Sequence, residues 1–282
     1  MFDLTRAEPG SLLFHYTKSH IAFDEILRTS TFKFSGLGEM RDPLENRQWY
    51  LPGGWWGEGD SALAQFGQSG VTFNKVRDRA RLAAFSIDRE DCADSRAPVG
   101  RGWARASMWE HYAENHAGVC LIFDREALID AFTLSIRAQI ELDPYHRRVQ
   151  YVGLGMPEDL VMVFGDGYMD GSDSAVYEFI ESNKDGIFFQ KAEDWASESE
   201  YRFLTTLPDE FGDELFASIG GSLRAVLVGE NFPDWSRPQV QRICDELGVP
   251  ALGARWSHGQ LIPMSLMRRG GNAGMQTTRD AS

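Results

Sequence analysis

Apolar residues recur with two different periods along this chain, and the two periods predict an alternation of strands and helices. Residues 11–17 (SLLFHYT) read as a strand, whereas residues 18–29 read as an amphipathic helix with Ile21, Ile26 and Leu27 on its inner side. The same patterns predict further strands at 31–35, 81–87, 118–123, 148–152, 200–206, 223–228 and 260–266. Further helices are predicted at 107–116, 125–132, 174–190 and 238–247. Strands and helices in this irregular order favour an α+β fold.

Local signals refine these elements. Ser107 and Glu110 have the spacing of a capping box at the start of a helix, and Gly186 is a candidate break in the helix at 174–190. Asp42 and Glu45, around an Asp-Pro pair, are interpreted as a helix start. We expect one globular domain over residues 1–268 and a disordered tail over residues 269–282.

Charge and cysteine content limit the classes of function. The chain of 282 residues carries a formal net charge of −14, and residues 158–214 hold sixteen acidic against three basic residues. Such a segment will not bind the phosphate backbone of a nucleic acid non-specifically. Its composition predicts a solvated face of the protein. The three cysteines lie far apart without a CxxC pair, which indicates a reduced, cytoplasmic protein without disulfides. No apolar run approaches the ~20 residues of a membrane span, so we expect no membrane partner.

The candidate chemistry is concentrated in the segment Trp195–Arg202. Glu198 and Glu200 lie two residues apart at the entrance to an apolar run, so that strand geometry would place both carboxylates on one face. One carboxylate could accept hydrogen bonds from a sugar hydroxyl. The other would repel the first and so help to tune the pKa of that first carboxylate. The alternative is structural, because either carboxylate could simply pair with Arg202.

Scattered motifs give this segment a family context. They are Phe14-His15-Tyr16-Thr17, Asp42-Pro43-Leu44-Glu45, Met108-Trp109-Glu110-His111-Tyr112, His116-Ala117-Gly118-Val119-Cys120 and residues 195–202. In this order they resemble a bacterial family described as domain of unknown function 2971, over roughly residues 11–230. Arg41 and Leu44 depart from the family pattern, which has Asn and Phe there. Lys191, Trp195, Glu198, Glu200, Tyr201 and Arg202 match it.

A second resemblance suggests an activity. Residues 13–35 are similar to the opening of ADP-ribosyltransferases, in which a strand with His and Tyr precedes a helix and a second strand. The resemblance implies a mixed or antiparallel split sheet flanked by helices. It implies NAD as substrate without a metal, and His15, Glu198 and Glu200 as the catalytic residues. His15 would hold a ribose, Glu200 would be the catalytic carboxylate, and Glu198 would orient or deprotonate the acceptor.

The same resemblance implies the residues that contact NAD and the partners of the reaction. The cofactor-binding set would be His15, Tyr16, Thr17, Trp109 and Tyr112, with Tyr16 or Tyr112 stacking on nicotinamide. The acceptor would be a macromolecule, protein or nucleic acid, and family analogy suggests a toxin or phage-defence effector with an antitoxin or immunity partner.

Two other classes of function stay open at this point. One is a catalytically silent sensor that binds a nucleotide or a protein, and the other is a nuclease or hydrolase that uses a divalent metal. His111 and His116 lie about 140° apart around a helix at ~100° per residue, so they are poor partners for one metal. His15 as a core histidine, and Trp109 and Tyr112 as helix-packing aromatics, are the structural alternatives to the roles above.

Overall fold

The computed structural model describes residues 2–42, 45, 71–92, 98, 100–153 and 173–266. These residues form a mixed α+β fold, as the periodicity predicts, built around a large mixed sheet. The predicted tail, residues 269–282, lies outside the described residues.

Twelve strands are described. They are β1 (Leu12–Thr17), β2 (Thr31–Gly36), β3 (Ala80–Ile87), β4 (Val119–Asp124), β5 (Tyr145–Arg148), β6 (Gln150–Val152), β7 (Gln190–Ala192), β8 (Glu200–Thr206), β9 (Leu215–Ser218), β10 (Leu223–Val228), β11 (Ala251–Ser257) and β12 (Gln260–Ser265). Ten of them form one sheet in the order β12-β11-β10-β4-β1-β3-β2-β9, with β8 on β3 and β5 on β8. Its pairings are antiparallel except β10 with β11, and β6 and β7 form a separate parallel pair.

The helices cover the sheet and connect its strands. They are α1 (Ile21–Leu27, wound with π geometry), α2 (residues 71–79), α3 (Ala106–Tyr112), α4 (Arg125–Ile140), α5 (Asp173–Phe188) and α6 (Arg237–Leu247). Short 3-10 helices lie at Leu4–Arg6, Leu37–Glu39, Glu193–Glu198 and Asp234–Ser236. None of the helices in the described ranges is both long and apolar enough to cross a membrane.

The sheet divides at β3, and this division positions the site. β8 runs along one edge of β3, where Ala80 to Ser86 each have a partner residue. The opposite edge is shared by two strands, because β1 pairs at Ser86 and Ile87 while β2 pairs at Arg81 and Leu82. Residues 83–85 lie between these two registers. A gap therefore opens between β1 and β2 in the middle of the sheet.

Apolar side chains pack on both faces of the sheet, as the side-chain alternation of a strand requires. On β1, Leu13 packs in a core beneath α4, whereas Phe14 and Tyr16 pack with Trp109 of α3 on the opposite face. Cys120 lies fully buried on that second face and is a free thiol, as are Cys92 and Cys244.

Several predicted boundaries were wrong. The helix predicted at 107–116 ends at Tyr112, because Glu114, Asn115 and His116 all adopt left-handed backbone angles. Its start has Arg105 as the N-cap without a side-chain hydrogen bond, so the predicted capping box is absent there. Gly186 does not interrupt α5, and the helix predicted at 125–132 continues to Ile140. The sequence patterns missed β7, β9 and β11.

Candidate functional site

Glu198 and Glu200 flank a sharp turn rather than sharing a strand. Glu198 ends the 3-10 helix Glu193–Glu198, Ser199 adopts a left-handed φ of 43°, and β8 begins at Glu200. The expectation that both carboxylates sit on one strand face is therefore wrong. They nevertheless point to a common partner, because the turn at Ser199 brings the two side chains together on Lys191.

The backbone around this turn is held from two sides. The Ser86 hydroxyl on β3 donates to the Glu198 carbonyl at 2.9 Å. The Arg105 guanidinium, just before α3, donates to the Ser197 carbonyl at 2.8 Å and to the Ile87 carbonyl at 3.1 Å. Both donors come from the neighbouring strand and helix, so the turn is fixed to the sheet at the point where the sheet divides.

The two carboxylates belong to a buried cluster of five charged side chains. Lys191 Nζ on β7 lies 2.7 Å from Glu198 and 2.9 Å from Glu200. Arg202 Nε lies 2.6 Å from Glu200, and Arg202 Nη1 lies 2.6 Å from Glu45. Three carboxylates and two cations give the cluster a formal charge of −1. All five side chains are at most 8 % exposed, so the charges act with little solvent screening.

This arrangement controls the ionisation of its members. Burial alone would raise the pKa of Glu200, but the Arg202 guanidinium and the Lys191 ammonium hold it well below its usual range. Burial raises the pKa of Glu45, against the opposing effect of Arg202. The carboxylates outweigh burial at Lys191 and raise its pKa, so that this side chain is a permanent cation rather than a base or nucleophile. Glu200 is a fixed anion at neutral pH.

Two tyrosines complete the surroundings of the cluster. The Tyr112 hydroxyl on α3 donates to Glu198, and the Arg41 guanidinium lies 4.5 Å from the centre of the Tyr112 ring. On the other side, the Tyr151 hydroxyl accepts a hydrogen bond from the Glu200 amide at 2.8 Å. Burial, and the neighbouring carboxylates, raise the pKa of both phenols, so both are neutral.

His15 lies at the gap between β1 and β2. Its Nδ1 is 3.3 Å from the Ala84 carbonyl, which can only accept, so that the proton is assigned to Nδ1 and Nε2 is left as an acceptor. The ring packs edge-on against Phe32 and Phe85. Burial lowers the pKa of His15 to about 4, which keeps the imidazole neutral at neutral pH.

The gap opens into a cleft with two adjoining chambers. The first, about 210 Å³, is lined by His15, Tyr16, Tyr112, Lys191, Glu198 and Glu200 among others. The second, about 770 Å³, lies towards α1 and β2 and includes Arg28, Thr31 and Lys33 in its lining. The chambers share their residues at the gap, namely His15, Glu39, Met40, Ala84 and Tyr112. Together they fall in the size range of small-molecule and cofactor sites, roughly 300–1,000 Å³.

Most of the predicted site residues meet at this cleft, and two do not. His15, Tyr16, Tyr112, Glu198 and Glu200 line the first chamber. Trp109 lies instead in the core, fully buried, with its indole N–H donating to the Trp103 carbonyl at 3.0 Å. Thr17 is buried at the end of β1, where it pairs with Val119 of β4. Trp109 therefore acts as a packing residue beneath Tyr16, against which its ring lies edge-on.

Two members of the cluster had no predicted role. Lys191 was recognised only as a motif residue. Glu45 was interpreted only as part of a helix start, and the structure does give it a helical conformation. Lys191 is seven residues from Glu198 and on a different element, so neither helical nor strand spacing connects them. The presence of Lys191 in the same motif as Glu198 and Glu200 was the signal that could have indicated these ion pairs.

Within the described ranges, no group of three or more His, Cys, Asp or Glu side chains is arranged to hold a metal ion. His116 and Glu110 approach each other at 3.7 Å as a pair.

Comparison with models of known protein families gives a match to part of the chain. A family model described as Protein of unknown function (DUF2971) matches residues 108–203, from α3 to β8. The match supports the resemblance to that family and includes Tyr112, Lys191, Glu198 and Glu200, whereas His15 lies outside it. No curated protein and no solved structure gives a significant match to the chain. The resemblance to ADP-ribosyltransferases thus rests on the residues themselves.

Proposed function

We propose that the cleft binds NAD and that the protein transfers ADP-ribose from it to a macromolecular acceptor. The observation that carries this proposal is the meeting of His15, Tyr112 and Glu200 around one cavity. They come from β1, α3 and β8, and 185 positions of the sequence separate the first from the last. A set of polar side chains that converges on a cleft from distant parts of the chain is the usual form of a ligand site.

The chemistry of the first chamber suits the departure of nicotinamide. As the glycosidic bond breaks, positive charge develops on the ribose, and fixed negative charge near that ribose lowers the barrier. Glu200 supplies such a charge because it stays ionised, and the cluster around it carries a formal charge of −1. Tyr112 offers aromatic surface to the leaving ring.

His15 suits a role in orientation rather than in proton transfer. Its depressed pKa means that it carries no proton to donate from Nε2 at neutral pH, while Nε2 can accept a hydrogen bond from a ribose hydroxyl. The second chamber adjoins the first at His15 and provides room for the remainder of a dinucleotide. Glu198, already bonded to Tyr112 and Lys191, would orient the acceptor.

A second candidate, a sensor that binds nucleotide without turnover, is favoured by one specific contact pattern. Each oxygen of Glu200 already has a cationic partner, Oε1 with Arg202 and Oε2 with Lys191. Two adjacent cations offset much of the field that an anion would exert on a developing positive charge. The cleft would then still bind the ligand, but its rate of bond cleavage would be low.

The two candidates are separated by measuring binding and nicotinamide release on the same preparation. We expect calorimetry to show NAD binding that a chelator does not change, and we expect nicotinamide release with water or added protein and nucleic acid as acceptor. Binding without release under all acceptors would favour the sensor. No binding, with the fold intact by circular dichroism, would refute both, and strict dependence on Mg²⁺ or Mn²⁺ would favour a hydrolase.

A further inference from the structure

We propose that Lys191 is the positioning residue of the cleft, where its single ammonium group bridges Glu198 and Glu200 and holds both as charged neighbours. This inference rests on the proposed function for its catalytic meaning, but the bridge can be tested without NAD. Lys191 touches no reacting atom in this proposal. It acts through the two carboxylates.

The geometry of the bridge is specific. Lys191 Nζ lies 2.7 Å from Glu198 Oε2 and 2.9 Å from Glu200 Oε2, within the range of charge-assisted hydrogen bonds. Its third neighbour, Glu45, is at 3.7 Å. The side chain extends from β7 beside the Trp195 ring, whose centre is 5.4 Å from Nζ. An ammonium has three donors, so it can serve both carboxylates at once.

Lys191 balances the charge of both carboxylates, but the two differ in their other partners. Glu200 has a second cation in Arg202, whereas the other partner of Glu198 is the neutral phenol of Tyr112. Without Lys191, the charged groups around Glu200 would be Arg202, Glu45 and Glu198, with Tyr151 on its amide. Three carboxylates and one cation would then give the cluster a formal charge of −2 in a buried setting. Like charges at this separation favour the protonated form of one carboxyl group.

The bridge also fixes position. Glu198 ends a 3-10 helix and Glu200 begins a strand, so the backbone gives the two side chains no common orientation. Lys191 ties both to β7, which pairs with β6 rather than with the main sheet. The spacing of the carboxylates in the chamber is therefore set by a third element.

The test compares Lys191→Met, which removes the charge and keeps the length, with Lys184→Met. Lys184 pairs with Glu181 on the surface of α5 and serves as the matched control. NMR titration of ¹³C-labelled glutamate carboxyl groups follows Glu200 directly. We expect the pKa of Glu200 to rise by about 1 to 3 units in Lys191→Met and to stay unchanged in Lys184→Met. Because the two carboxylates would lose their common anchor, nicotinamide release should fall by on the order of 10²-fold in the first variant alone.

A further pair of variants covers the case in which Lys191→Met does not fold. Lys191→Met/Glu198→Gln removes one charge of each sign and keeps the formal charge of the cluster at −1. Its Glu200 titration is compared with that of Glu198→Gln alone, and a higher pKa in the double variant is again expected. Equal Glu200 titrations with and without Lys191 would overturn the proposal. If the titrations differ but wild type shows no NAD binding, the bridge stands and the proposed function fails.

Discussion

Tyr112 and Glu198 are joined by a hydrogen bond that links α3 to the turn before β8. The bond fixes the phenol ring in the wall common to both chambers of the cleft. Arg41 lies over the same ring and donates to the His111 carbonyl at 3.1 Å. The tyrosine is therefore contacted both at its hydroxyl and on the face of its ring. The position of this one aromatic side chain thus depends on three separate parts of the chain.

Tyr112→Phe should keep the ring and remove the bond. Because a hydrogen bond to a charged group contributes about 1.5–3 kcal/mol, we expect the free energy of unfolding to fall by up to that amount. NAD affinity should fall by less than about tenfold, since the ring surface remains. Urea denaturation and calorimetry measure the two effects. Tyr177→Phe, at an exposed tyrosine of α5, is the control and should stay within about 0.5 kcal/mol of wild type.

Glu200→Gln should separate catalysis from structure when it is compared with Glu45→Gln. Both glutamates pair with Arg202 at 2.6 Å, but only Glu200 lines the first chamber. Removing one partner of a buried ion pair typically costs about 3–5 kcal/mol, so both variants should be destabilised. Nicotinamide release should fall on the order of 10²–10³-fold in Glu200→Gln and less than about tenfold in Glu45→Gln.

The comparison is made well below the melting temperature of both variants, so that each is folded. NAD binding to Glu200→Gln should weaken far less than turnover, because the carboxylate acts mainly as charge develops. Similar losses of turnover in the two variants would show that Glu200 serves only as a partner of Arg202.

His15 should make stability depend on pH between about 4 and 6.5. Its pKa is about 4 in the folded protein and near its ordinary value of 6.5 in the unfolded chain, so the unfolded state binds more protons in that window. Its contribution is therefore fully present above pH 6.5 and is lost as the pH falls towards 4. The slope is at most about 1.4 kcal/mol per pH unit.

His15→Phe removes this dependence, since the new ring would lie beside Phe32 and Phe85 and cannot titrate. The measurement is urea denaturation of both proteins at several pH values between 4 and 7.5. The difference between the two unfolding free energies should shift steadily in favour of His15→Phe as the pH falls. A difference that does not vary with pH would contradict the depressed pKa and neutral state of the half-buried His15.

Asp88 should be a main support of the N-terminal segment. It is fully buried, lies 3.3 Å from the buried Arg101, and accepts from the Gly10 and Gly102 amides at 3.0 and 2.6 Å. Arg101 in turn donates to the Ala7 carbonyl at 2.9 Å. Asp88→Asn removes the charged partner that the described residues give to that guanidinium, so we expect a loss of about 3–5 kcal/mol.

Hydrogen exchange checks where the loss from Asp88→Asn is located, because faster exchange is expected at residues 4–10. Asp91→Asn breaks an exposed pair with Arg89 and should cost less than about 1 kcal/mol. An Asp88→Asn protein as stable as Asp91→Asn would mean that the buried pair is dispensable.

Local pattern was enough to predict much of the fold. The strands at 200–206 and 223–228 match β8 and β10 to the residue, because their alternation and their turn residues agree. The helix after Ser107 was extended too far, since apolar spacing cannot show that Glu114 to His116 turn left-handed. That turn allows Gly118 to approach β1, where an added Cβ would lie 2.5 Å from the Thr17 carbonyl. The helix α3 therefore ends at Tyr112 because the chain after it contacts a strand that is distant in sequence.

The candidate site shows the same limit. The sequence indicated His15, Tyr112, Glu198 and Glu200, because their motifs combine residue types suited to one chemistry. It could not show that Lys191 and Glu45 would complete the charge balance, since no periodicity relates residues 146 positions apart. The expectation that Glu198 and Glu200 share a strand face was wrong for a similar reason. Ser199 between them has a left-handed backbone conformation, which local pattern does not indicate.

The division of the sheet at β3 has a consequence for the range of ligands. Ala84 lies at the gap and belongs to the lining of both chambers. Its methyl group is the smallest side chain that an L-residue can place there. The width of the cleft where the chambers meet therefore depends in part on the size of the side chain at position 84. We expect a branched residue there to narrow this part of the cleft and to disfavour long ligands without altering any charge.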